Sequence, residues 1–239
     1  MKKTNTSAQE PPKILTKAPK KFIKALDVSS ILQEALFVSI HQSPISPVIA
    51  LWSLESYLDA AKREQQRISR VQSSIWKDRK FRKNSLFHDV HFYLVSWSRI
   101  AKLARFIRDQ TRFTRVGLVV RQYEVEFDKR IDGRDHLEYF EERLPGGPKQ
   151  YKLKVPGDLY NMKNDYFTFG GKRINVGPSS IVILKKFVAE FHMALLFDSI
   201  ELLEKHDPNR LYEILQQAAT GIWLEKLTKN ALKQLRSKQ

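Results

Sequence analysis

The chain of 239 residues contains no cysteine. That excludes disulfides, thiolate zinc centres and cysteine nucleophiles, and it fits a reducing compartment. Long apolar runs are also missing. Residues 45–54 and 116–120 are the nearest to one, and both fall far short of a bilayer span. No apolar segment follows Lys2 and Lys3, so the opening does not read as a secretory signal. The expectation is a soluble, cytoplasmic protein with no membrane partner. Glycine is sparse, at nine residues. Neither Gly-x-x-x-x-Gly-Lys nor Gly-x-Gly-x-x-Gly occurs, so no glycine-rich phosphate cradle is expected and Gly170-Gly171 reads as a turn. No Ser, His and acid arrangement suggests a hydrolase triad. His88 and His91 stand at i and i+3 beside Asp89, but two helical histidines lack a third ligand and fit partner-bonded histidines better. No metal and no cofactor is expected.

Acidic residues are in short supply, 26 against 42 Lys and Arg, for a net charge of +16. The excess is localised. Residues 1–24 hold seven lysines against Glu10, a net of +6. Residues 62–83 hold nine cations against Glu64 and Asp78, a net of +7. Residues 222–239 hold five against Glu225, a net of +4, which leaves the rest of the chain at −1. Concentrated Lys and Arg release counterions from a phosphate backbone, so such blocks are the footprint of polyanion binding. Lys77, Arg79, Lys80 and Arg82 form the densest group and are the candidate nucleic-acid contacts, with RNA favoured. The same blocks also fit a solvated surface that keeps the chain in solution.

The apolar spacing predicts an all-α fold: an antiparallel helical bundle with a small β-hairpin insertion. Residues 1–25 are lysine- and proline-rich and read as a flexible basic tail, and 26–239 as the bundle domain. A first helix starts from Asp27. A second starts near Ser46 with Pro47 at its first position. A third spans about 86–109, and a fourth about 114–144, with Gly133 able to bend or split it. Pro145-Gly146-Gly147-Pro148 is a stop. The hairpin covers about 158–177. A fifth helix opens at Gly177-Pro178, and a last one covers 209–236, with a bend possible at Gly221.

The densest chemistry lies in Arg134-Asp135-His136-Leu137-Glu138-Tyr139-Phe140-Glu141-Glu142-Arg143-Leu144. Leu137, Phe140 and Leu144 repeat at i, i+3, i+7 and predict a buried face. The polar groups crowd the rest of the helix. This segment resembles the signature of the HEPN superfamily, α-helical bundles that include metal-independent ribonucleases of toxin–antitoxin and antiviral defence systems. Their motif is an Arg, a polar residue, then a His four to six residues after the Arg. Arg134 and Asp135 fit the first two places, and Tyr139 stands where the His would be. The segment is also similar to a group of bacterial proteins reading Arg-Asn or Arg-Asp, then Glu-His-Phe-Asp/Glu-Glu-Arg-Leu, again with Tyr139 replacing His. The resemblance is strongest over residues 86–145, and it implies a homodimer with a shared site.

It further implies Arg134, Asp135, Tyr139 and His136 as candidate catalytic residues. Metal-independent RNA cleavage needs a base for the 2′-hydroxyl, an acid for the leaving oxygen and a cation for the phosphorane. Arginine suits the last role through its planar fork, and histidine suits proton transfer near neutrality. A tyrosine hydroxyl, with an ordinary pKa of about 10, is a poor base at pH 7. Two substitutes are His136 itself and an Arg130-x5-His136 pair, the latter broken at its second place by Ile131. Three readings stand: a nucleolytic site, phosphate binding without cleavage, and a salt-bridge network that pins the fourth helix.

Overall fold

The computed structural model describes residues 28–40, 45–74, 82–138, 162–169 and 172–220. Six helices and a small antiparallel sheet occur among them. They are α1 (Val28–Ile40), α2 (Ile45–Ser74), α3 (Arg82–Thr111), α4 (Thr114–Glu138), β1 (Met162–Lys163), β2 (Tyr166–Phe169), β3 (Lys172–Asn175), α5 (Pro178–His206) and α6 (208–220). The architecture is therefore an all-α bundle with a β-insertion. None of these helices is long and apolar enough to cross a membrane.

The helix starts follow local sequence closely. Pro47 is the third residue of α2, inside the first turn, where its missing N–H removes no helical bond. α3 begins at Arg82, four residues before its first apolar position, Leu86. It ends at Arg112, whose φ of 55° sets the left-handed terminator and whose N–H donates to the Arg108 carbonyl at 2.8 Å. The last predicted helix extends beyond 220 into residues that lie outside the described ones, as do Gly221 and the tail 1–25.

The expected hairpin is present as β2–β3, with the short β1 added on its edge in the order β1-β2-β3. Thr168 pairs with Arg173 and Tyr166 with Asn175, so these four share one face. Phe167 and Ile174 occupy the opposite face and are buried. The Gly170-Gly171 turn lies outside the described residues. Asn164, at φ 54°, carries the turn from β1 into β2, a conformation asparagine tolerates better than most residues. Val176 donates back to the Asp165 carbonyl at 2.8 Å.

Gly177 joins the sheet to α5 with no room for a side chain. A Cβ there would meet Cβ and Cγ of Asp165 well inside van der Waals contact, and its Oδ2 at 2.6 Å. Asn175 Oδ1 accepts from the Gly177 N–H at 2.8 Å, and the Gly177 carbonyl accepts from Ser180 Oγ at 2.7 Å. Ser180 in turn meets the buried Tyr93 hydroxyl at 2.5 Å, tying the start of α5 to α3. Gly177→Ala is expected to destabilise the protein by about 2–3 kcal/mol through overpacking. Urea unfolding monitored by circular dichroism checks this. An unchanged midpoint would mean that the Asp165 turn yields without cost.

The chain divides into two compact units. One holds the described residues up to Val48, then Phe113–Val116, and those from His192 onward. Its core is Ile31, Ala35, Leu196, Ile200, Leu203 and Leu211. Here Asp198, buried on α5, accepts from the Arg115 N–H at 2.9 Å and the Val116 N–H at 3.2 Å, and from Arg115 Nη1 at 2.8 Å. A side chain distant in sequence thus satisfies the first turn of α4. The other unit is Ile49–Arg112 and Gly117–Phe191. Its core is aromatic. Trp97, Phe127 and Phe187 meet edge to face, at 6.2 and 4.8 Å between ring centroids, with Tyr123 at 5.1 Å from Phe187. Such pairs add about 0.5–1.5 kcal/mol each beyond the area they bury.

Candidate functional site

The candidate residues lie on the last turns of α4. That helix runs unbroken through Gly133 to Glu138. Its buried side there is Arg130, Gly133 and His136, while Leu137 is only half-buried. Phe140 and Leu144, the rest of the expected apolar face, lie outside the described residues, as does Tyr139. The polar positions therefore take the interior in the described part of the segment, and the reason is specific for each. Arg130 lies 3.8 Å over the Trp97 ring and donates from Nη1 to the Glu126 carbonyl at 2.9 Å and to its carboxylate at 2.5 Å. Burial works to raise the Glu126 carboxyl, but the Arg130 hydrogen bond and charge, with Lys129, outweigh it and hold it below the ordinary range. His136 is covered by Phe167 of β2, at 6.3 Å between ring centroids. The Arg130–His136 pair is thus withdrawn from solvent at both ends.

Arg134 is the centre of a different group. Its side chain is 13 % exposed. Nε donates to Asp135 Oδ1 at 2.9 Å and lies 3.3 Å from Glu138 Oε2. Nη2 also donates to Asp135 Oδ1, and Nη1 donates to Ser98 Oγ at 3.2 Å. Ser98 is fully buried on α3. All three guanidinium nitrogens are therefore engaged, by two carboxylates and a hydroxyl. Glu138 also faces His91 of α3, whose Nε2 stands 3.7 Å from its Oε1. The predicted Arg134–Asp135 pair is brought together directly, with His136 turned to the other side. Ser98 and His91 were not legible as its neighbours. Ser98 carries no motif signal at all, and His91 was visible only through its spacing from His88, which is exposed.

Asp89, next to His88, is raised above the usual carboxylate range by burial and by the neighbouring Glu64. Among the described residues no group of three or more His, Asp or Glu side chains is placed to hold a metal ion.

Of the cationic candidates, Lys77, Arg79 and Lys80 lie outside the described residues. Arg82 opens α3. The basic block does reach described structure on α2. Arg63, Arg67 and Arg70 are exposed and repeat at i, i+4, i+7, which sets them on one stripe. Compared with family models, curated proteins and solved structures, the chain gives no match.

Proposed function

We propose that this chain is an RNA-directed binding protein of HEPN-like build in which the Arg134 motif holds the fold and does not cut. The observation that carries this reading is the engagement of Arg134. A phosphorane-stabilising arginine must offer its fork to the phosphate, yet here the fork is committed to Asp135, Glu138 and Ser98. Two carboxylates against one guanidinium also leave the spot without the positive field that a phosphate needs. The cationic charge lies elsewhere, in blocks whose composition suits counterion release from a polyanion.

Arg134→Ala tests the assignment. It leaves Asp135 and Glu138 one turn apart with no cation between them, and Ser98 without its donor. The expected result is a loss of about 1–2 kcal/mol in unfolding free energy, with RNA retention on a filter within about two-fold of wild type. Unchanged stability together with lost RNA binding would place Arg134 on the ligand instead.

One observation favours a second reading, a metal-independent ribonuclease of a toxin or defence system. His91 supplies an imidazole 3.7 Å from Glu138, which is itself 3.3 Å from Arg134. A histidine beside a carboxylate and an arginine is chemistry that tyrosine in the motif place cannot supply.

A further inference from the structure

α3 is buried over most of its circumference, with Tyr93, Trp97, Ala101 and Ala104 on the inner side. The opposite side is a narrow exposed face. Phe92, Val95, Arg99, Lys102 and Phe106 follow at i, i+3, i+7, i+10 and i+14, and fall within an arc of about 80°. From Phe92 to Phe106 the face runs about 21 Å at about 1.5 Å per residue. Phe92 is 54 % exposed and Phe106 39 %, so a large ring meets solvent at each end. Arg99 and Lys102 are exposed between them, and neither enters a hydrogen bond or ion pair among the described residues. Residues 92–106 hold three cations and no acid. The third cation, Arg105, lies off the face and is held by Glu124 and Asp128 of α4, at 2.8 and 2.7 Å. The acids at the two ends are also engaged. Asp109, beyond Phe106, is paired with Arg108 at 2.7 Å. Asp89, before Phe92, sits against Glu64 of α2, and Glu138 is shared between His91 and Arg134. His91 backs the Phe92 ring at 5.7 Å between centroids, with the two planes 29° apart.

We infer that this face of α3 binds single-stranded RNA, with a base stacked on Phe92, phosphates on Arg99 and Lys102, and a further base against Phe106. The inference rests on the nucleic-acid reading and adds where and in what form the ligand is held. Two unpaired cations with no acid between them match a run of phosphates. Arginine pairs phosphate oxygens through its fork, and lysine adds a compact point charge. A base laid on Phe92 extends the stack that His91 begins, and every unpaired base has a π-face to offer. A duplex keeps its bases stacked internally, so it presents phosphates to Arg99 and Lys102 but no base face to the two rings.

The test uses the full chain with two probes: a fluorescein-labelled oligouridine of about a dozen nucleotides, and heparin, a polyanion without bases. Phe92→Leu keeps apolar bulk and loses the ring. It is expected to weaken oligouridine binding about ten-fold while leaving heparin binding unchanged. Arg99→Gln and Lys102→Gln combined are expected to weaken both probes and to flatten the slope of log affinity against log salt for oligouridine by about 1.4. Thermal unfolding that matches wild type is the control for folding. Wild type alone supplies a second readout: oligouridine carrying 5-iodouridine, irradiated and mapped by mass spectrometry, is expected to crosslink to the peptide that holds Phe92. Crosslinks confined to other peptides overturn the inference. If wild type binds oligouridine and neither variant changes it, RNA lies elsewhere and the inference falls alone; this is also the result expected if the face docks a protein. If Phe92→Leu weakens heparin and oligouridine equally, no base is stacked and the inference falls. If wild type binds neither probe, the nucleic-acid reading itself falls.

Discussion

Replacing Lys77, Arg79, Lys80 and Arg82 together with alanine is expected to lower RNA affinity by about a hundred-fold or more in 0.1 M salt. The size follows from the charge, not from any contact geometry. Residues 62–83 hold the largest net charge of the three blocks, +7, and these four residues supply four of its nine cations. Each phosphate neutralised on a single strand contributes about 0.7 to the slope of log affinity against log salt. Removing four such contacts should therefore flatten that slope by about 3. Fluorescence anisotropy at several salt concentrations measures both quantities in one series. An affinity loss with no change in slope would mean that the substitutions disturbed the fold. No loss would assign the block to solubility.

Asp198→Ala is expected to lower the stability of the fold by about 3 kcal/mol. For a chain of this size that is about 6–12 °C in Tm. Asp198 is buried and serves three donors at once: the Arg115 and Val116 N–H groups and the Arg115 guanidinium. Alanine removes the cap of α4 and takes from Arg115 its buried carboxylate partner, while the exposed Glu201 stays at 2.5 Å. Asp198→Asn should cost far less. Burial pushes the Asp198 carboxyl above its usual range, and the Arg115 hydrogen bond, the backbone donors and the Arg115 charge oppose that without cancelling it. A raised acid favours the folded state most when protonated, so this group's contribution is fully present below the unfolded value and is lost as pH rises through the folded one. The neutral amide keeps an oxygen for the N–H groups without that desolvation cost. Differential scanning calorimetry of the two variants at pH 7 decides the point. Equal Tm losses would show that the charge of Asp198, not its acceptor oxygens, holds the helix start.

Much of the fold was legible because its signals are local. Pro47 and Gly177-Pro178 mark boundaries, and the apolar periods of α3 and α5 span whole helices. The misses have physical causes. β1 is only two residues long, too short to show alternation, and its turn depends on one residue at positive φ, Asn164. α3 began earlier than expected because its first turn is polar and shows no period. The end of α4 was harder still. A helical count assigns Leu137 to the interior, whereas Arg130, stacked on Trp97, and His136, under Phe167, are the residues that lie there. Those partners lie 33 and 31 positions away in the chain, so nothing in the segment itself announces them. The same holds for Ser98 at Arg134 and for Asp198 at the start of α4. The Arg134–Asp135 pair and a salt-bridge network around it could be read in the sequence; that Ser98 takes a further Arg134 donor and His91 stands by Glu138 could not.

The most direct test of the account is incubation of the purified chain with mixed single-stranded and structured RNA in excess EDTA, followed by end-group analysis, with His91→Ala alongside. The account predicts salt-sensitive retention of RNA by both proteins, and RNA recovered intact. Cleavage by the wild type alone, leaving 2′,3′-cyclic phosphate ends, would contradict it and make the His91, Glu138 and Arg134 group a nuclease centre.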